Sequence, residues 1–335
     1  MAQVLKPLPK GIYTPLPTFF QDDEELDLDA LTKHVKFTAT AGTIPVVCGS
    51  AGEAAHLSAE ERTLVIKTTR AALESCDLGN VPIVAGVGAS STRETIYLAK
   101  RAQEAGADYV MVIPPGYYAA ALQSNGSEAL RKFLIDVAEA SPLPVIVYNF
   151  PGVSAGIDLD SDLIIDVVRQ APNVIGVKLT CASVGKITRI NAVVNTDEFM
   201  EKYPRKDPKG MFRIIDGYID ILLPSISSGA AGAISGLPNL VPRTSVRLWE
   251  LSNYPSGTPE YREAQKLQNE LALVDGFMQK IGFAGMKMLL HKQFGYSPLP
   301  RRPLLPSSPE SAASWFTNPL LLGVLEKEKE LAAAS

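Results

Sequence analysis

Short runs rich in valine, isoleucine and glycine recur along the chain, separated by longer stretches whose apolar residues return at helical spacing. A strand buried on both faces reads as a nearly continuous apolar run, while an amphipathic helix repeats its apolar positions at i, i+3 and i+4. Eight segments fit the first pattern: residues 11–19, 43–48, 81–86, 108–113, 145–148, 174–178, 212–215 and 232–235. Between them, Ser58-Ala59-Glu60-Glu61 has the form of a capping box ahead of Leu64, Val65 and Ile66, and Ser91-Thr92-Arg93-Glu94 opens a helix that stops at Gly106. Strands alternating with helices predict an α/β fold, a closed (β/α)8 TIM barrel; an open doubly wound sheet is the alternative. The barrel, as catalytic domain, is expected over residues 1–240. Residues 241–335 read as a C-terminal helical extension packed on it, with helices over 261–273 and 281–291. Pro298, Pro300, Pro303 and Pro306 punctuate the stretch after these helices, and the Ala-rich end from Leu331 is expected to fray. Residues 196–210, polar and charged with two prolines, read as a surface insertion between the sixth helix and the seventh strand.

Composition narrows the class. The 335 residues exceed a usual single domain, but α/β barrels run to roughly 200–250 residues as one unit and carry appendages. With 46% hydrophobic and 20% charged residues the chain can bury a large core, which argues against extended disorder. The net charge of −4 is spread without a basic stripe, so nucleic acid is not an expected partner. No window approaches eighteen apolar residues, and the start, Met1-Ala2-Gln3-Val4-Leu5-Lys6-Pro7, lacks the apolar core of a signal peptide; the expectation is a cytoplasmic protein with no membrane partner. Cys48, Cys76 and Cys181 lack metal-type spacing and are expected to be reduced thiols. His34, His56 and His291 have no ligand spacing either, so no metal or other cofactor is expected, which favours organic covalent catalysis.

In a barrel of this kind, catalytic groups project from the C-terminal ends of the strands. The sixth run, Asn173-Val174-Ile175-Gly176-Val177-Lys178-Leu179-Thr180, ends on a lysine. Such a lysine either reaches solvent or sits desolvated, where burial lowers the amine's pKa and makes it a nucleophile for carbonyls. Taken alone, the solvent-reaching reading is the commoner one. The second run ends in Cys48-Gly49-Ser50-Ala51-Gly52-Glu53, either a tight strand-to-helix turn or a set of backbone N–H groups offered to a carboxylate. The third ends in Gly86-Val87-Gly88-Ala89-Ser90-Ser91, which reads as a helix-entry turn, with a phosphate-binding barrel as the alternative.

Together these strand ends resemble the dihydrodipicolinate synthase and N-acetylneuraminate lyase family of class I Schiff-base aldolases, over about residues 10 to 305. The resemblance is carried by Gly49-Ser50-Ala51-Gly52-Glu53 for the family's G-[ST]-x-G-E turn, Tyr148-Asn149-Phe150-Pro151 for Y-N-x-P, and Gly176-Val177-Lys178 for the lysine strand. Gly217 and the Gly232-Ala233-Ile234-Ser235-Gly236 segment, with Ile234, fall where family members carry substrate-lining backbone. The resemblance implies Lys178 as the imine-forming nucleophile, Tyr148 as general acid/base and Ser50 as the proton relay. It implies substrate contacts at Ser50, Ala51, Gly217 and Ile234. A 2-oxo acid condensed on Lys178 gives a protonated imine, an electron sink for the enamine left when the C3–C4 bond breaks. Ala51 stands where many relatives carry a second hydroxyl residue, which leaves its backbone N–H for the carboxylate. Tyr117 and Tyr118 resemble the family's aromatic pair, one of which reaches a neighbouring subunit's site; an extra residue blurs which tyrosine corresponds, and a core or interface role is the alternative. The resemblance also implies a homo-oligomer, a dimer or tetramer.

Departures from the family patterns bear on substrate. Dihydrodipicolinate synthases carry an arginine shortly after Y-N-x-P, where this chain reads Pro151-Gly152-Val153-Ser154-Ala155-Gly156. Sialic acid lyases show an acidic pair just after the glycine, whereas Gly217-Tyr218-Ile219-Asp220 retains one acid. The texture is most similar to fungal members acting on 2-keto-3-deoxy sugar acids such as L-threo-3-deoxy-hexulosonate, yielding pyruvate and glyceraldehyde. A 4-hydroxy-2-oxoglutarate aldolase is the alternative, then a dihydrodipicolinate synthase. Outside enzymology the alternative is a catalytically silent barrel with a binding role. The expected partners are a small-molecule 2-oxo acid and an aldehyde.

Overall fold

All eight apolar runs form strands: β1 (Gly11–Pro15), β2 (Ile44–Val47), β3 (Val84–Gly86), β4 (Tyr109–Val112), β5 (Val145–Asn149), β6 (Val174–Leu179), β7 (Arg213–Asp216) and β8 (Gly232–Ile234). Each pairs in parallel with the next, and β8 returns to β1, closing the barrel. This computed structural model describes residues 7–207 and 210–334. Residues 1–6 of the segment read as lacking a signal peptide, 208 and 209 of the 196–210 segment, and 335 of the tail lie outside the described residues.

Alternation along the strands sorts side chains into two cores. Tyr13, Val46, Val84, Tyr109, Ile146, Ile215 and Ile234 point inward and fill the barrel. Ile12, Val47, Ala85, Val110, Val147, Val177 and Ile214 join the core that holds the helices. The first strand is shorter than the run that announced it, because Pro17 has no N–H to continue the ladder beyond Leu16. Between β5 and β6 the register shifts by one residue, from Val145 opposite Val174 to Ile146 opposite Gly176. That shift places Lys178 directly opposite Tyr148, and a one-residue change of register exchanges which face a side chain takes.

The helices are α1 (Leu28–Thr40), α2 (Ala59–Glu74), α3 (Thr92–Glu104), α4 (Ala119–Leu122), α5 (Ser124–Ala140), α6 (Ser161–Gln170), α7 (Val184–Val194), α8 (Asp197–Lys202), α9 (Leu222–Ser227), α10 (Pro242–Ser252), α11 (Pro259–Phe294), α12 (Pro309–Trp315) and α13 (Pro319–Ala333). Ser58 and Glu61 make both bonds of the capping box, Ser91 caps α3, and Gly106 follows it at φ +99°. Gly88 packs so closely on the residue after β4 that a Cβ there would lie 2.6 Å from the Ile113 side chain, which fits a helix-entry turn.

Several expectations change. The helices read over 261–273 and 281–291 belong to the one 36-residue α11, interrupted at Gly282, whose φ of 63° and ψ of −164° suit only glycine. The proline-rich stretch leads into α12 and α13, and α13 runs to Ala333. α10, directly after β8, packs on β1 and α9 as the eighth helix of the alternation, although a division after residue 240 sets it with the extension. The 196–210 segment is more than a surface insertion: α8 buries Phe199, and the Arg205 guanidinium sits inside, donating to the carbonyls of Ala171 at 3.2 Å and Tyr203 at 2.8 Å.

The C-terminal helices are fastened to the barrel through Glu53. Its buried carboxylate pairs with the buried Lys287 of α11 and accepts the Arg301 backbone N–H at 2.9 Å. The Arg301 side chain continues to Glu61 on α2 at 2.6 Å.

Candidate active site

Lys178 emerges from the inner face of β6 near the top of the barrel and is 5% exposed. Among the described residues it has no carboxylate within ion-pair distance; its ammonium lies 4.1 Å from the centre of the Tyr148 ring. Desolvation lowers its pKa to about 7, so a large fraction of the amine is neutral at physiological pH. Tyr148, one strand earlier, is equally buried. Burial pushes its phenol up to about 12, opposed by the Ser50 and Thr180 hydroxyls. Ser50 Oγ is 3.4 Å from the Tyr148 oxygen, a long contact of the kind that can shorten when a substrate is bound.

The Gly49–Gly52 turn is shaped by close backbone approach: a Cβ on Gly86 would lie 2.0 Å from the Cys48 carbonyl oxygen. Within the turn, Gly52, Glu53 and Ala54 spend their N–H groups on the carbonyls of Gly49 and Ser50. Among the described residues, no hydrogen bond uses the N–H of Ser50 or Ala51, which is the arrangement an incoming carboxylate needs. Gly217, past the end of β7, must be glycine because a Cβ there would lie 2.1 Å from Thr180 Oγ1. Ser50, Ala51, Tyr148, Lys178, Gly217 and Ile234 all line one cavity of about 360 Å³.

Tyr117 and Tyr118 are not brought to that cavity. They are 85% and 69% exposed and meet each other edge to face at 4.9 Å, so the core role is overturned and they make no contact with substrate space in their own chain.

The strand-end motifs leave out two sources of cavity wall. Thr180 and Tyr218 follow the ends of β6 and β7, and Asp275, Gln279 and Phe283 come from α11. An acid within Leu271-Ala272-Leu273-Val274-Asp275-Gly276-Phe277-Met278 is the one sequence signal for the helix. Asp275 is 4% exposed, and burial, with the charge of Asp220 second, raises its pKa to about 7. Gln279 Nε2 donates to Asp275 at 3.2 Å and to Asp220 at 3.1 Å. Asp216, raised to about 7 by burial, is held within the protein by the Ser225 hydroxyl and the Tyr218 N–H. The described residues contain no metal-ligating cluster of three or more His, Cys, Asp or Glu, and none of their helices is long and apolar enough to cross a membrane.

The motifs that carried the resemblance therefore converge in space, and comparison with known proteins decides the family. Residues 8–315 match the dihydrodipicolinate synthetase family. The chain belongs to that family. Among its relatives, a protein of Emericella nidulans named "Probable 4-hydroxy-2-oxoglutarate aldolase, mitochondrial" is 43% identical over 92% of this chain and 93% of its own. The L-threo-3-deoxy-hexylosonate aldolase of Aspergillus niger is 38% identical over 91% of this chain and 92% of its own. Among solved structures, a dihydrodipicolinate synthase family protein from Coccidioides immitis superposes with a TM-score of 0.81 at 34% identity, covering 98% of this chain and all of that one. In this family member, the turn, the tyrosine and the lysine of the family motifs face one cavity.

Proposed function

We propose that the protein is a class I aldolase, a carbon–carbon lyase that cleaves a 2-keto-3-deoxy sugar acid such as L-threo-3-deoxy-hexulosonate to pyruvate and glyceraldehyde. The observation that carries this reading is Lys178, a buried amine without a counter-ion among the described residues, beside the Tyr148 phenol. The relatives' aldolase names support it. The neutral amine adds to the 2-oxo carbon, water leaves, and the imine nitrogen takes a proton from solvent, giving a protonated imine. As the C3–C4 bond breaks, its electron pair passes into the imine to form the enamine, and the C4 hydroxyl loses its proton. Tyr148 is protonated at neutral pH, so it accepts that proton only while passing its own to Ser50 and on to solvent. The Ser50 and Ala51 N–H groups hold the substrate carboxylate, and Gly217 and Ile234 bound the space around it.

Borohydride reduction in the presence of pyruvate tests the reading. A reduced adduct mapped by mass spectrometry to Lys178 is the expected result, and an adduct elsewhere or none overturns it. The second reading, 4-hydroxy-2-oxoglutarate aldolase, shares the lysine chemistry and is favoured by the name of the Emericella relative.

Assembly and compartment belong to the same proposal. The exposed Tyr117 and Tyr118 face a second copy of the chain in a dimer or tetramer, which light scattering of the purified protein checks. The protein works in the cytoplasm; the Emericella relative is named mitochondrial, so fractionation decides between the compartments.

A further inference from the structure

Two carbonyl-containing fragments must fit the cavity, and its walls differ in chemistry. If the 2-oxo acid half occupies Lys178 and the Ser50-Ala51 turn, as proposed above, the aldehyde half meets the residues that remain, chiefly Tyr218, Asp275, Gln279 and Phe283. Lys178 is the one cationic residue lining the cavity among those described, and it is engaged in the imine. No arginine or second lysine among the described lining residues is available for another carboxylate.

The polar groups on the α11 wall offer acceptor oxygens, which Asp275 keeps in either protonation state although it titrates near 7. Gln279 spends its amide N–H groups on Asp275 and Asp220, which leaves its carbonyl oxygen as a further acceptor. Asp275 reaches the cavity wall while almost wholly buried, and Asp220 Oδ1 is buried with no hydrogen-bond partner among the described residues. A hydroxyl can donate to such groups. A carboxylate has no proton to give at neutral pH, would meet the ionised fraction of Asp275 in a desolvated space, and would find no counter-ion among the described lining residues.

We infer that Asp275 and Gln279 of α11, backed by Asp220, select a neutral hydroxylated aldehyde half and exclude one that carries a carboxylate. This rests on the proposed lyase reading and separates its two versions: glyceraldehyde is the neutral product, and glyoxylate, released from 4-hydroxy-2-oxoglutarate, is the anionic one. Asp275 is a specificity-determining residue here, with no part in the bond-breaking step.

The test is pyruvate condensation by the full-length protein with glyceraldehyde and with glyoxylate, comparing kcat/KM for the two. The wild type is expected to favour glyceraldehyde by about tenfold or more, the factor carried by ~1.4 kcal/mol. Asp275→Asn should shift that ratio toward glyoxylate by a similar factor, mainly through KM, while borohydride trapping of pyruvate on Lys178 stays intact. Gln279→Lys, which supplies the missing cation, should move the ratio the same way even if Asp275→Asn folds poorly. A wild-type preference for glyoxylate, or an unmoved ratio in both variants with trapping intact, overturns this inference and leaves the lyase reading standing. Failure of trapping in the wild type overturns both.

Discussion

Lys178 owes its chemistry to its surroundings. Desolvation alone lowers its pKa, so the amine titrates near 7 in the folded protein against an ordinary value near ~10.4 in the unfolded chain. The difference has a kinetic and a thermodynamic outcome. The rate of imine formation with pyruvate should rise through an apparent pKa near 7, measured by trapping kinetics across about pH 5.5 to 9. Between about pH 7 and 10 the unfolded chain binds the extra proton, so this group's contribution makes stability increase with pH across that window. Lys178→Met, which keeps the volume and removes the charge, should abolish trapping and stabilise the fold at pH 7 by about 1–2 kcal/mol in urea titrations. Tyr148→Phe should leave trapping intact and lower cleavage on the order of 10²–10⁴-fold, as loss of a general acid/base does. The positions of Lys178 and Tyr148 at the ends of apolar runs, and of Ser50 in the turn after one, are readable from the sequence, while the roles proposed for them come from the family resemblance. The aromatic pair is not, since Tyr117 and Tyr118 sit on a loop whose direction no local pattern sets.

Elements set which residues meet. The register shift between β5 and β6 brings Tyr148 and Lys178 side by side, and no residue pattern announces it. The eight strands are readable because a buried parallel strand has a continuous apolar signature. Their order around the barrel follows from the alternation with helices. The helical wall of the cavity is harder, because Asp275 and Gln279 reach it only when α11 lies across the strand ends, a tertiary event. Gly282 breaks α11 beside those residues and is itself in the wall. A Cβ there would meet no atom within 4 Å, so any cost of Gly282→Ala is backbone strain alone. That variant should lose about 1–3 kcal/mol in denaturant titrations, the range for a strained backbone conformation, and raise KM for the aldehyde.

At the scale of the whole molecule, the Glu53–Lys287 ion pair, buried on both sides, joins the barrel to α11. Glu53 is readable as the last residue of the small turn; Lys287, 234 positions away, is not, because its partner is set by folding. Removing one side of a buried pair leaves the other charge uncompensated. Lys287→Met should therefore cost about 3–5 kcal/mol, measured by chemical denaturation, and Glu53→Gln/Lys287→Met together should cost less than the single change.

Glu53 has one further consequence. It follows Ser50 and Ala51 by three and two residues, and it holds the part of α11 after Gly282, which carries Met286 of the cavity wall. On the proposed reading, loading of the 2-oxo acid at the Ser50–Ala51 turn is expected to be felt in that part of α11 through a single carboxylate. An ordered mechanism is the kinetic form of that linkage: pyruvate loading should slow amide hydrogen exchange in residues 283–290, far along the chain from the lysine it modifies.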